Sequence, residues 1–145
     1  MDNKEFKKIL QKNVFECGFT YKNKNYYYDD DKLIVVINCQ KSNYDNTYYI
    51  NYGFWVKEIH DMTKYPSIEI CDVMGRFDNN INNKIETVFC LDELDDNCLS
   101  NNIKRNIEKF IVPVIENGIE KYFDIYPQAM YTAKLLLKEY LKNNI

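Results

Sequence analysis

Thr47-Tyr48-Tyr49-Ile50-Asn51-Tyr52-Gly53-Phe54-Trp55-Val56-Lys57-Glu58-Ile59 alternates with a period of two. Successive side chains of a strand point to opposite faces of a sheet. One face therefore takes Tyr48, Ile50, Tyr52, Phe54 and Val56, and the other takes Thr47, Tyr49, Asn51, Gly53, Trp55 and Lys57. The first set is apolar or aromatic throughout and reads as the face packed beneath helices. The second mixes aromatics with an amide and a glycine, and reads as the wetter face.

Upstream, Leu33 to Gln40 is β-branched and apolar on both faces, which suits a strand in the middle of a sheet. Lys41 to Asn46 is a polar connection of hairpin length. Tyr26-Tyr27-Tyr28 reads as a short aromatic strand and Asp29 to Lys32 as a polar turn. Downstream, His60 to Ser67 reads as a loop, Ile68 to Met74 as a strand, Gly75 to Lys84 as a long Asn-rich turn, and Ile85 to Leu91 as a further strand. Asp92 to Asn97 reads as an acidic, exposed connector.

Helices flank this region. Asp2 is placed to cap the first turn, with Glu5 completing a capping box, and Phe6, Ile9, Leu10 and Val14 form an apolar stripe that Gly18 ends. After Ser100, read as a cap, Ile103, Ile107, Phe110, Ile111 and Val114 recur at helical spacing, and Pro113 predicts a kink. Gly118 offers an end to that helix. Pro127 opens a last segment whose amphipathic face is Ala129, Met130, Ala133, Leu136, Leu137 and Tyr140. The order predicts one α+β domain over 1–145: an N-terminal helix, an antiparallel meander of about five strands, and two or three C-terminal helices on one face.

Composition narrows the function classes. Lys and Arg number 19 against 22 Asp and Glu, a net charge of −3, which supplies no excess for neutralising phosphates. Lys4, Lys7, Lys8 and Lys12 form only a local basic group, so nucleic acid is the less favoured partner. The 5 cysteines are odd in number and scattered, which argues against a disulfide framework and for thiols in a reducing cytoplasm. No secretory leader is legible, and no apolar run approaches the roughly 18 residues of a membrane span.

Residues that could carry chemistry are few. His60 is the sole histidine, and His60-Asp61 suggests a base beside its carboxylate; adjacent loop residues seldom face one another, so His60 reads as an exposed loop side chain. Asp92, Glu93, Asp95 and Asp96 lack the glycine and terminal Glu of a calcium loop, and Asp29 to Asp31 read likewise as solvated. No Cys or His pair has zinc spacing. Cys98, near a helix start, is the best-placed thiol for a nucleophile, yet a buried or incidental thiol is the simpler reading. With 4 dispersed glycines there is no phosphate loop. No metal, cofactor or catalytic set is expected, and the balance leans away from an enzyme.

The remaining candidate is a binding surface. Tyr49 and Trp55 flank Asn51 and Gly53 on one strand face, Gln40 and Ser42 lie near the end of its hairpin partner, and Arg76 offers a charged anchor. Aromatics interspersed with amides suit a protein interface or base stacking, and Gly53 permits close approach of a ligand or backbone.

Gly18-Phe19 after the first helix, Gln40-Lys41-Ser42, Tyr49-Ile50-Asn51-Tyr52-Gly53, Cys71 and Gly75-Arg76 occur in an order that resembles the mainly bacterial domain-of-unknown-function family 4304. The resemblance runs from Lys4 through the last helix. It implies a compact α+β domain and assigns no activity to any position. Small size, the acidic balance, the open aromatic face and the absence of a catalytic set instead point to a non-enzymatic interaction protein, with neutralisation of a toxin as its most specific form. The alternatives are a small-ligand binder or enzyme with a pocket between sheet and helices, and a single-strand nucleic-acid binder using Tyr49 and Trp55.

Overall fold

The first helix, α1 (Asn3–Glu16), begins and ends as its sequence dictates. Asp2 accepts from the Glu5 amide at 2.8 Å. Gly18, at φ +89°, lets the Phe19 amide return to the Val14 carbonyl and the Gly18 amide to that of Phe15, a Schellman stop. Phe6, Leu10 and Val14 are fully buried, and Phe6 stacks on Tyr48 at 4.5 Å between ring centroids.

The structure, a computed structural model, describes residues 1–61 and 63–143. Among these, β1 (Thr20–Lys22), β2 (Asn25–Asp29), β3 (Leu33–Lys41), β4 (Thr47–Val56) and β5 (Val73–Arg76) follow one another in an antiparallel sheet. A sixth strand, β8 (Phe89–Cys90), pairs with Thr47 and Tyr48 of β4 beyond the reach of β5. Between β5 and β8, β6 (Asn79–Ile81) and β7 (Lys84–Glu86) form a separate hairpin. The α+β class and the antiparallel sheet are therefore as the pattern predicts, with six strands rather than five.

Several boundaries differ from the sequence reading, among them β4, which ends at Val56, and the strand read over 85–91, which divides into β7 and β8. Residues 68–70 form a 3-10 turn instead of the start of a strand, and β5 begins only at Val73. The Asn-rich stretch is not one long turn, because Asn82 and Asn83 take φ of 53° and 66° and close the tight hairpin of β6 and β7. Asn tolerates that left-handed region better than most residues. Asn23 and Lys24 close the hairpin of β1 and β2 in the same way.

The C-terminal helices cover the face of β3 and β4 that carries Val35, Ile37, Tyr48, Ile50, Tyr52 and Phe54. In α2 (Asp96–Asn106) the cap is Asp95, which accepts from the Cys98 amide at 2.7 Å; Ser100 instead hydrogen-bonds Asn13 of α1. Pro113 has the expected effect. Lacking an N–H, it cannot serve the carbonyl four residues back, and the helix widens into a π turn over Ile107–Ile111 before α3 (Val112–Asn117). Gly118 at φ +95° ends α3. Then α4 (Glu120–Ile125), a 3-10 turn over Pro127–Tyr131, and α5 (Leu135–Asn143) complete the layer. Leu137 and Leu141 of α5 are buried, whereas Leu136 and Met130, expected on the apolar face, are exposed.

Asparagines do structural work in this layer that composition alone concealed. Asn106 Oδ1 accepts from the Asp78 amide at 2.8 Å while its Nδ2 donates to the Asp78 carbonyl at 2.7 Å. One turn earlier, Asn102 repeats the arrangement with the amide and carbonyl of Asn80. Two side chains of a helix thus pair with the backbone at Asp78 and at Asn80 of β6 as a neighbouring strand would, and satisfy polar groups that burial would otherwise leave costly.

Candidate functional site

The outer face of the sheet, opposite the helices, divides into two halves. On the first, Tyr27, Ile34, Val36 and Trp55 pack with Ile68 and Cys71 in a small second core. The 66–71 segment lies over them, with His60 stacked on Trp55 and Tyr65 against Tyr27. Gly53 makes this possible: a Cβ there would meet the Cβ and Sγ of Cys71 at 2.8 Å. The close approach that Gly53 permits is thus that of the chain's own 67–71 segment. Trp55 is left only 7% exposed, so the open strip of Tyr49 and Trp55 expected from the sequence does not exist.

His60 is not an exposed loop residue either. Its ring stacks on Trp55 at 3.7 Å, and its Nε2 lies 2.6 Å from Asp72 Oδ1. A carboxylate only accepts, so the ring presents Nε2–H. Asp72 is 1% exposed, and its other oxygen accepts from the Val56 amide at 2.8 Å. The pair therefore clamps the start of β5 to the end of β4. Burial, with the Asp72 charge adding to it, pushes the Cys71 thiol up to about 12, which makes it inert.

The second half is polar. Register places Asn38 beside Asn51 and Asn51 beside Arg76, and Asn25 adjoins Asn38 on β2. Arg76 Nε donates to Asn51 Oδ1 at 3.0 Å, Asn51 Nδ2 to Asn38 Oδ1 at 3.1 Å, and Asn38 Nδ2 to Asn25 Oδ1 at 3.2 Å. Asn25 Nδ2 then donates to the Tyr27 hydroxyl at 3.2 Å, which donates to the Pro66 carbonyl at 3.0 Å. The direction of this chain is forced at both ends. A guanidinium has only donors and a carbonyl only accepts, so each amide between them has one orientation. Bonds aligned in one sense polarise one another.

Arg76 is held from below as well. Its guanidinium carbon stands 4.1 Å from the centroid of the Tyr49 ring, and Gln40 Oε1 accepts a second bond from Asn51 Nδ2 at 3.3 Å. Of the six residues expected to form a site, Gln40, Tyr49, Asn51 and Arg76 come together. Trp55 lies in the covered half. Ser42 serves its own turn, with Oγ accepting from the Tyr44 amide at 3.2 Å. Asn25 and Asn38 were missed; their signal was Asn at matching positions on neighbouring strands, visible only once the register is known.

Beside Arg76 the sheet ends, and a cavity of about 910 Å³ follows the free edge of β5. Ile125, Tyr126, Thr132 and Lys134 form its far wall, tied to the sheet by the Lys134 amide, which donates to the Asp72 carbonyl at 2.9 Å. Met74, Phe110, Ile125 and Tyr126 supply apolar lining. Under Gly75, the hydroxyls of Tyr52 and Tyr122 meet at 2.8 Å, and a Cβ on Gly75 would stand 2.3 Å from the Tyr52 oxygen. Burial raises the Tyr52 phenol far above its ordinary range, so this pair stays neutral and structural.

Elsewhere, Cys98 occupies the first turn of α2 with its sulfur 3.5 Å from Asn102 Nδ2. Among the described residues no cluster of three His, Cys, Asp or Glu side chains could hold a metal ion, and no helix is long and apolar enough to cross a membrane.

These features define an α+β protein with helices on one face of an antiparallel sheet and a polar row on the other. The chain belongs to the family described as Domain of unknown function (DUF4304), which matches residues 10–117. The whole polar row lies within that stretch, whereas the far wall of the cavity lies beyond it. No curated protein and no solved structure matches the chain.

Proposed function

We propose that the chain is a non-enzymatic binding domain and that its ligand enters the cavity along the free edge of β5. The observation that carries this reading is the meeting of that cavity with the row of Arg76, Asn51 and Asn38. The volume falls within the range of about 300–1,000 Å³ typical of small-molecule sites, and apolar lining with a few convergent polar groups is their usual make-up. An uncovered strand edge adds backbone donors and acceptors to the same wall. The test is an NMR titration of the labelled protein with a panel of neutral and charged fragments. Binding fragments are expected to move the amide resonances of Met74, Gly75, Arg76 and Tyr126 together. Shifts scattered over the surface, or none, would remove the reading.

A second reading, a protein partner, is favoured by exposed apolar side chains on the neighbouring surface. Tyr131 is 87% exposed and Leu135 69%, with Tyr126, Met130 and Leu136 also uncovered. A partner recovered with the native protein and lost with the Tyr131→Glu, Leu135→Glu double variant would support it. Equal recovery with both proteins would count against it.

A further inference from the structure

Arg76 differs from the other cations around the cavity. Lys109 Nζ lies 4.0 Å from Asp78, and Lys134 Nζ donates to the Glu69 carbonyl at 2.8 Å. Lys24 borders the far end, on the turn before β2, three strand spacings from β5 and so on the order of 14 Å away. Arg76 has its Nε committed to Asn51 and its face to Tyr49, yet no carboxylate of the described residues lies within 4.0 Å of it, in a chain with 22 acidic residues. Its rotational freedom is thus spent in advance, while the hydrogen bond it makes uses Nε and leaves the two terminal nitrogens for a ligand. Two parallel donors at that spacing match the two oxygens of one carboxylate.

Resting on the binding reading above, we propose that the ligand is a small organic monocarboxylate, with its oxygens on the Arg76 fork and its apolar body against Met74 and Tyr126. Single charge follows from the surroundings. A single carboxylate matches the one guanidinium in the lining, and the Glu69 and Asp78 carboxylates on the same cavity oppose a second negative charge. An apolar body follows from Met74 and Tyr126, which line the same cavity as Arg76, are 45% and 44% exposed, and gain by being covered. The amide chain supplies a signature. An anion drawing on the guanidinium alters the polarisation of Asn51, Asn38 and Asn25 in sequence, which a body merely resting in the cavity does not.

The experiment titrates the labelled protein with benzoate, benzamide and inorganic phosphate at matched ionic strength, reading the Arg76 Nε–H and the side-chain amides of Asn51, Asn38 and Asn25. Benzoate is expected to saturate and move all four groups, and benzamide to bind at least about tenfold more weakly, the worth of a charge-assisted pair. Phosphate is expected not to saturate. Arg76→Gln should weaken benzoate by about tenfold or more, and Arg76→Lys, which restores charge without the fork, should recover only part of that. Benzamide equal to benzoate, or benzoate indifferent to Arg76→Gln, overturns the carboxylate assignment while leaving a binding cavity. Phosphate saturating ahead of benzoate overturns it in favour of a phosphorylated ligand. Failure of every probe, together with the wider fragment panel, overturns the binding reading as well.

Discussion

The two halves of the outer sheet face are built on the same two strands, yet one is a core and the other a surface. In β3 and β4 the pairs Ile34–Trp55 and Val36–Gly53 belong to the covered half, and Asn38–Asn51 and Gln40–Tyr49 to the open one. The step from Val36 and Gly53 to Asn38 and Asn51 is a single repeat of the pleat. What changes across it is whether the chain can return over the sheet. Gly53 leaves room for Cys71, and the 66–71 segment settles there; two residues on, paired amides meet one another and need no cover. A sheet face is thus covered or open according to local side-chain volume and hydrogen-bonding capacity, not by strand.

Removing the anchor of the covered half should have the largest effect. Trp55→Ala deletes the ring beneath His60 and is expected to cost about 3–5 kcal/mol of stability, read by urea unfolding followed by circular dichroism. A loss below about 1 kcal/mol would mean that the second core contributes little. Next, Gly53→Ala places a methyl against Cys71 and should cost about 1–3 kcal/mol, with Trp55 fluorescence shifting toward that of an exposed indole. An unchanged spectrum would show that the 67–71 segment yields without cost.

A third effect, confined to alkaline pH, also separates the halves. The Cys71 thiol is raised from 9.0 to about 12 in the folded protein by burial first and the Asp72 charge second. The unfolded chain therefore releases this proton while the folded chain keeps it, and stability falls as pH rises from about 9 to 12. Cys71→Ala should flatten the decline of melting temperature over that window; an identical slope would place the loss in the buried tyrosines alone. Smallest of all, Arg76→Gln in the open half should change stability by no more than about 0.5 kcal/mol, because its partners remain wetted. A loss comparable to that of Gly53→Ala would make the polar row a structural brace and blur the contrast.

Much of this was legible beforehand because it is local. The Asp2 cap, the Gly18 stop, the alternation of β4 and the interruption before Pro113 each depend on a few neighbouring residues and appear where the pattern puts them. The failures depend on pairs far apart in sequence. Trp55 looked open because nothing near it announces Cys71, 16 positions on, or the clamp of His60 and Asp72. The roles of Asn102 and Asn106 were not legible, because their partners Asn80 and Asp78 lie more than 20 positions earlier in the chain. Gln40, Tyr49, Asn51 and Arg76 were named, but Asn25 and Asn38 required the register.

By itself the amino-acid order determined the first helix, the two long central strands and which of their faces meets the helices, since periodicity, caps and proline act over one or two turns of chain. Only the tertiary structure decided which half of the other face is covered, which amides join into a row, and that a cavity opens beside Arg76. Those outcomes turn on distances between segments, and such distances exist only once the chain has closed its core.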